Sequence, residues 1–100
     1  MYICTTVGKL KEGKLEEVLK AAEILAKATR KQPGNLYYHV YVPDNRKNCF
    51  ATTEGWECVA DFQEHVGHTE DPQDPLHTFN MTVGPASAGE PDIFSGESVL

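Results

Sequence analysis

The sequence predicts an α+β fold, one antiparallel sheet with helices packed on one of its faces. Three observations lead there. Apolar side chains in residues 12–30 recur at three- and four-residue steps, residues 36–42 alternate with a period of two, and the predicted elements run strand, helix, strand, strand, helix, short helix, strand.

The first strand is predicted over residues 2–10, YICTTVGKL, which is rich in β-branched and aromatic side chains. The helix of residues 12–30 follows. Leu15, Val18, Leu19, Ala22, Leu25, Ala26 and Thr29 share one arc of it and need a surface to cover them. The opposite side sets Glu16 before Lys20 and Glu23 before Lys27, a solvated face that only Ile24 interrupts. Pro33-Gly34 supplies the stop, after Lys27, Arg30 and Lys31 at the end where the helix dipole favours cations.

In the strand of residues 36–42, Leu36, Tyr38, Val40 and Val42 take one side and Tyr37, His39 and Tyr41 the other. Pro43-Asp44-Asn45 turns the chain. The link is short enough for a hairpin, so the strand of residues 49–57 is read as antiparallel to it. Phe50, Thr52, Glu54 and Trp56 share one face of that strand, while Cys49, Ala51, Thr53 and Gly55 make the other face small. Glu54 either lines a pocket with Trp56 or meets solvent at an edge.

A second helix over residues 58–66 carries Val59, Phe62 and Val66 as its stripe. Residues 67–74, GHTEDPQD, read as an exposed acidic loop. Beyond Pro75 the spacing of Leu76, Phe79 and Val83 fits a short third helix, although Thr82 and Val83 also fit a strand. Residues 84–90 read as a loop, and residues 91–100, with Ile93, Phe94, Val99 and Leu100, as a returning strand.

One hundred residues hold a single domain, residues 1–100, with a modest core that association would help to cover. Fifteen acidic against nine basic side chains give a net charge of -6, and the basic residues form no patch, so nucleic acid is excluded as a partner. No segment approaches the roughly 20 apolar residues that span a bilayer. A soluble, cytoplasmic protein without a membrane partner is expected. Cys4, Cys49 and Cys58 are an odd set with no close pair, which reads as small buried apolar residues and not as a disulfide framework.

Glu12-Gly13-Lys14 at the entry to the first helix, residues 33–38 (PGNLYY) leading into the second strand, and Glu54-Gly55-Trp56 before the second helix stand in an order and spacing that resemble the antibiotic biosynthesis monooxygenase family over nearly the whole chain. The resemblance implies a ferredoxin-like sheet that pairs with a second copy face to face, as a homodimeric α/β barrel, each subunit keeping a cavity between sheet and helices. Several enzymes of that family oxidise phenolic or quinol-like aromatic compounds with molecular oxygen and neither metal nor flavin. Others degrade haem or handle a small phosphorylated signal molecule. Trp56 matches the tryptophan that lines the cavity at the end of the third strand, and His65 matches the histidine of the second helix. The histidine that opens the third helix is matched by His68 or His77. Haem-degrading members use an asparagine in the first strand, where this chain has Cys4, Thr5 and Thr6. Quinol-oxidising members place one upstream of the tryptophan, where this chain has Thr52 and Thr53.

Oxygenation without a cofactor needs a base tuned near neutral pH, a hydrogen-bond donor for the resulting anion, and aromatic walls. His65 can supply the base, Tyr38 or His39 the donor, and Trp56 and Phe62 the walls; His39 and the tyrosines also fit structural or interface roles. Cys58, Asp61, His65 and His68 recur along one helix, but at 1.5 Å per residue their donors spread over about 15 Å, too far for one ion. No metal and no cofactor is therefore expected. The leading reading is a monooxygenase acting on a small quinol-like or polyphenolic compound. Its alternative is a non-catalytic dimeric small-molecule-binding or stress-related domain, and a third is an interaction module whose acidic loop meets a basic partner.

Overall fold

The computed structural model describes residues 1–100. The chain runs β1 (Tyr2–Lys9), α1 (Leu15–Thr29), β2 (Asn35–Tyr41), β3 (Cys49–Trp56), α2 (Val59–Val66), α3 (Pro75–Ala86) and β4 (Asp92–Glu97). The strands form one antiparallel sheet in the order β2-β3-β1-β4, the ferredoxin-like arrangement, with the helices on one face.

The stripe on α1 is buried as its spacing requires. Val18, Ala22, Leu25, Ala26 and Thr29 face the sheet, joined in the core by Leu10, Tyr38, Phe50, Phe79 and Ala86. The solvated side forms the expected pairs, Glu16 with Lys20 at 3.6 Å and Glu23 with Lys27 at 3.1 Å, and Ile24 lies exposed. Gly34 ends the link to β2 with a φ of +82°, a conformation open to glycine, and its carbonyl accepts from the Glu57 amide at 2.8 Å. Arg30 ties the end of α1 to β2, its guanidinium donating twice to the Tyr38 carbonyl at 3.1 and 2.7 Å.

Register sets the two faces. Cys4 stands opposite Glu54, Thr6 opposite Thr52 and Gly8 opposite Phe50, with Tyr38 also opposite Glu54, so these residues share the face under the helices. The Phe50 ring lies across Gly8 where a Cβ would stand, and meets Phe79 edge-on. The outer face carries Ile3, Thr5, Val7, Tyr37, His39, Tyr41 and Phe94.

Five expectations are corrected. A bulge between Asn35 and Tyr37 leaves Leu36 half-exposed, because the inserted residue has no place in the ladder. On α2 the buried residue is His65, while Val59 and Val66 remain partly exposed, since Phe62, His65 and Val66 face a cavity and not packed core. Residues 84–86 continue α3, which ends where Ser87 Oγ donates to the Val83 carbonyl and the Lys11 amide takes the Ala86 carbonyl; a proline this near the end disturbs only the last turn. The last strand stops at Glu97, and Val99 and Leu100 are exposed beyond it. Of the cysteines, Cys4 and Cys49 are buried but Cys58 is exposed, its thiol donating to Asp61 at 3.3 Å. No helix is long and apolar enough to cross a membrane.

Candidate active site

Between the inner sheet face and the helices α2 and α3 lies a cavity of about 270 Å³, just below the size of typical small-molecule sites. Cys4, Thr6, Tyr38, Thr52 and Glu54 make its floor; Phe62 and His65 close it from α2, Leu76 and Phe79 from α3, and Ile93 from β4. The wall is mainly apolar. Two titratable groups, Glu54 and His65, meet at one corner, between β3 and α2.

Glu54 occupies that corner, 5 % exposed. Its Oε1 accepts from Trp56 Nε1 at 3.0 Å, and the same oxygen stands 3.9 Å from His65 Nε2. His65 is 4 % exposed and holds Gln32 Oε1 with Nδ1 at 2.6 Å. An amide oxygen can only accept, so Nδ1 carries the hydrogen and Nε2 of the neutral ring keeps its lone pair toward Glu54 and the cavity. Burial pushes the Glu54 carboxyl above its usual range against the opposing Trp56 hydrogen bond, and burial lowers His65 against the pull of Asp74. Both groups thus lean to their neutral forms. Tyr38 and Cys4 are raised as well, first by burial and then by the neighbouring Glu54, so neither ionises readily.

Stability should follow these shifts. A lowered histidine contributes stability that is present above the ordinary value of 6.5 and lost as pH falls through the folded value. A raised carboxyl contributes stability present below its ordinary 4.5 and lost as pH rises through the folded value. Urea unfolding of the parent and Glu54→Gln is therefore expected to show the variant gaining relative to the parent as pH rises. A constant difference across the range would mean that Glu54 does not titrate between these limits.

Of the residues expected to form the site, His65 and Tyr38 do line the cavity. Trp56 does not. It is fully buried one layer behind the wall, with its ring 4.9 Å from His65, because it packs beneath α2 and turns its N–H back to Glu54. His39 is also set apart: strand alternation puts it on the outer face, exposed and stacked on Tyr37 at 5.6 Å, where it cannot serve a ligand in the cavity as donor. His68 pairs with Glu64 at the surface at 2.6 Å, and that hydrogen bond raises its pKa. His77 Nδ1 donates to the Thr69 carbonyl at 2.6 Å, pinning the acidic loop to α3. The side chains of Cys58, His65 and His68 thus face separate surroundings, and no group of three or more His, Cys, Asp or Glu side chains converges on a metal position.

Sequence reasoning missed two members of the corner. By sequence Glu54 fits either a pocket or solvent, and the face it shares with Phe50 and Trp56 is the signal that places it inside. Gln32 gave no signal, since it lies in the link between α1 and β2 and reaches His65 across 33 residues of sequence.

The model of the family described as antibiotic biosynthesis monooxygenase matches residues 1–70. The match covers β1 through α2 and stops before α3, so the corner of Glu54, Trp56 and His65 lies within it and the Leu76 and Phe79 wall outside. Among solved structures, a candidate antibiotic biosynthesis monooxygenase from Nitrosomonas europaea superposes with a TM-score of 0.85 at 18% identity, over 100% of both chains. Another, from Caulobacter crescentus, gives 0.84 at 21% identity over 99% of this chain and 90% of its own, and a third, from Deinococcus radiodurans, 0.83 at 17% over 98% and 92%. At these identities the likeness is one of fold. No curated protein matches the sequence.

Proposed function

The chain belongs to the antibiotic biosynthesis monooxygenase family, and from that premise we propose that it oxidises a small quinol-like or polyphenolic compound with molecular oxygen and no added cofactor. The observation that carries this reading is the lone pair of His65 Nε2, fixed by Gln32 and held neutral at the edge of a largely apolar cavity. A phenol seated there loses its hydroxyl proton to Nε2, and the electron-rich phenolate reduces dioxygen beside it. The ligand supplies every electron. One oxygen atom enters the ring to give a quinone and the other leaves as water, which takes back the proton held by His65. The low-dielectric wall of Phe62 and Phe79 keeps solvent from quenching the intermediate.

The reading is tested by oxygen uptake with a panel of quinols and polyphenols, the uncatalysed autoxidation rate being subtracted. Uptake no faster than the blank across the panel would transfer the cavity to the alternative, a binding domain without turnover. That alternative draws on β3, where Thr52 in the floor and Thr53 on the outer face stand in place of the asparagine that quinol-oxidising members use.

The same reading includes a homodimer. The outer sheet face is uncharged at Ile3, Thr5, Val7, Tyr37, Tyr41 and Phe94, its charges Lys9 and Asp92 pair with each other at one end at 3.6 Å, and Phe94 is 68% exposed. A second copy is the partner that matches such a face by symmetry. Light scattering is expected to give twice the chain mass, and Phe94→Glu to shift the equilibrium to monomers by burying a carboxylate in the interface. A parent protein that stays monomeric at high concentration would refute the pairing.

A further inference from the structure

The corner where β3 meets α2 leaves buried polar groups facing the cavity. Glu54 is buried, lines the cavity, and uses one oxygen for the Trp56 indole, while its second oxygen has no hydrogen-bond partner in the protein. Beside it stands an imidazole nitrogen that carries a lone pair. The 3.9 Å between Glu54 Oε1 and His65 Nε2 is too wide for a direct hydrogen bond. It places the carboxyl near enough to the imidazole for a single oxygen atom to bridge the two groups, through Nε2 on one side and the free Oε2 on the other.

We propose that Glu54 serves as a neutral carboxylic acid that, together with His65, grips a single hydroxyl oxygen of the ligand, so that the site selects phenolic hydroxyls over their ethers. The location of the ligand rests on the function proposed above; the grip itself requires no turnover. With Oε1 engaged by Trp56, the acid hydrogen resides on Oε2 and is free to donate, whereas Nε2 is free only to accept. An oxygen between them must accept one hydrogen bond and donate another. A phenolic hydroxyl does both, a quinone carbonyl or an ether only accepts, and an ammonium group only donates. Once His65 has taken the hydroxyl proton, the Glu54 hydrogen remains to hold the phenolate, the part played elsewhere by a buried neutral acid in an oxyanion site. Glu54 thus fills the position of anion donor, which His39 and Thr53 are on the wrong face to reach.

The surroundings keep Glu54 in this state. The titratable groups facing it are Cys4 from β1, Tyr38 from β2 and His65 from α2, and none is a cation at neutral pH: the first two are held protonated and the third neutral. Arg30, just past the end of α1, spends its guanidinium on the Tyr38 carbonyl, Lys9, which borders the cavity, pairs its ammonium with Asp92 at 3.6 Å, and Asp74 acts on His65. No positive charge is therefore placed to ionise the acid.

The test is binding, followed by calorimetry without oxygen, of naphthohydroquinone and its dimethyl ether to the parent, Glu54→Leu and Glu54→Gln. The parent is expected to prefer the quinol by about tenfold or more, the worth of one good buried hydrogen bond. Glu54→Leu should erase most of that preference. Glu54→Gln should recover it, because an amide N–H replaces the acid hydrogen while the amide oxygen still accepts from Trp56. Parent affinity should fall as pH rises and the acid ionises, and the glutamine variant should not follow. Equal binding of quinol and ether by the parent, as when the gap merely holds a water, overturns the proposal. So does a glutamine variant no better than leucine with affinity that rises with pH, the pattern of a carboxylate base. Should the leucine variant fail to fold, the parent-minus-glutamine infrared spectrum decides: a protonated carboxyl band at neutral pH that shifts when the quinol binds is expected, and its absence refutes the neutral acid. Selective binding without oxygen uptake would remove the oxygenase reading alone, whereas no binding of either compound would remove both.

Discussion

Replacing His65 with alanine is expected to lower oxygen uptake on a quinol by roughly 10²-fold or more, the low end of what a positioned base contributes. The size follows from the geometry. Nε2 is the one basic lone pair fixed at the polar corner, since Cys4 and Tyr38 are held protonated and Glu54 leans neutral. Removing it leaves the phenol to ionise unaided in a wall that disfavours charge. The parent should keep its activity at pH values where a solvated histidine would already be protonated, because burial holds this ring below 6.5, and should lose it only under more acid conditions. The measurement is oxygen uptake by both proteins across pH, each shown to be folded and in the same oligomeric state. Equal rates for parent and variant would remove His65 from the chemistry while leaving any activity in place.

Trp56→Ala is expected to cost about 3–5 kcal/mol of stability, the range for truncating a buried large aromatic. Trp56 is the largest side chain that is completely buried, and it supports both members of the polar corner, donating to Glu54 and packing against His65. Trp56→Phe separates these roles. The smaller ring keeps most of the packing but withdraws the N–H, leaving Glu54 Oε1 without a donor at a cost of about 1–3 kcal/mol. Denaturant unfolding at one fixed protein concentration compares the three chains, a precaution that matters if the protein self-associates. A phenylalanine variant as stable as the parent would show that the indole hydrogen contributes packing and nothing more.

Residues 12–30 and 49–57 by themselves determined most of the architecture. A stripe at helical spacing can be buried only by another layer, and a hairpin-length link can join only antiparallel neighbours, so element order led to the two-layer fold without any long-range information. The helix–strand register decided what the pattern could not. Alternation within β2 put Tyr38 and His39 on opposite faces, but which face met the helices depended on the pairing of Tyr38 with Glu54 and on the bulge that expels Leu36. The site was even less legible. Periodicity reports which residues leave water, and a histidine among Phe62 and Val66 breaks the stripe without saying what compensates it. The compensation is Gln32, a residue from a turn with no pattern of its own, brought within 2.6 Å only when α1 and α2 close on the same sheet. Trp56 was placed at the right end of the right strand; only tertiary packing could put its ring behind the cavity wall and its N–H on Glu54, because hydrogen-bond partners are chosen by distance in space.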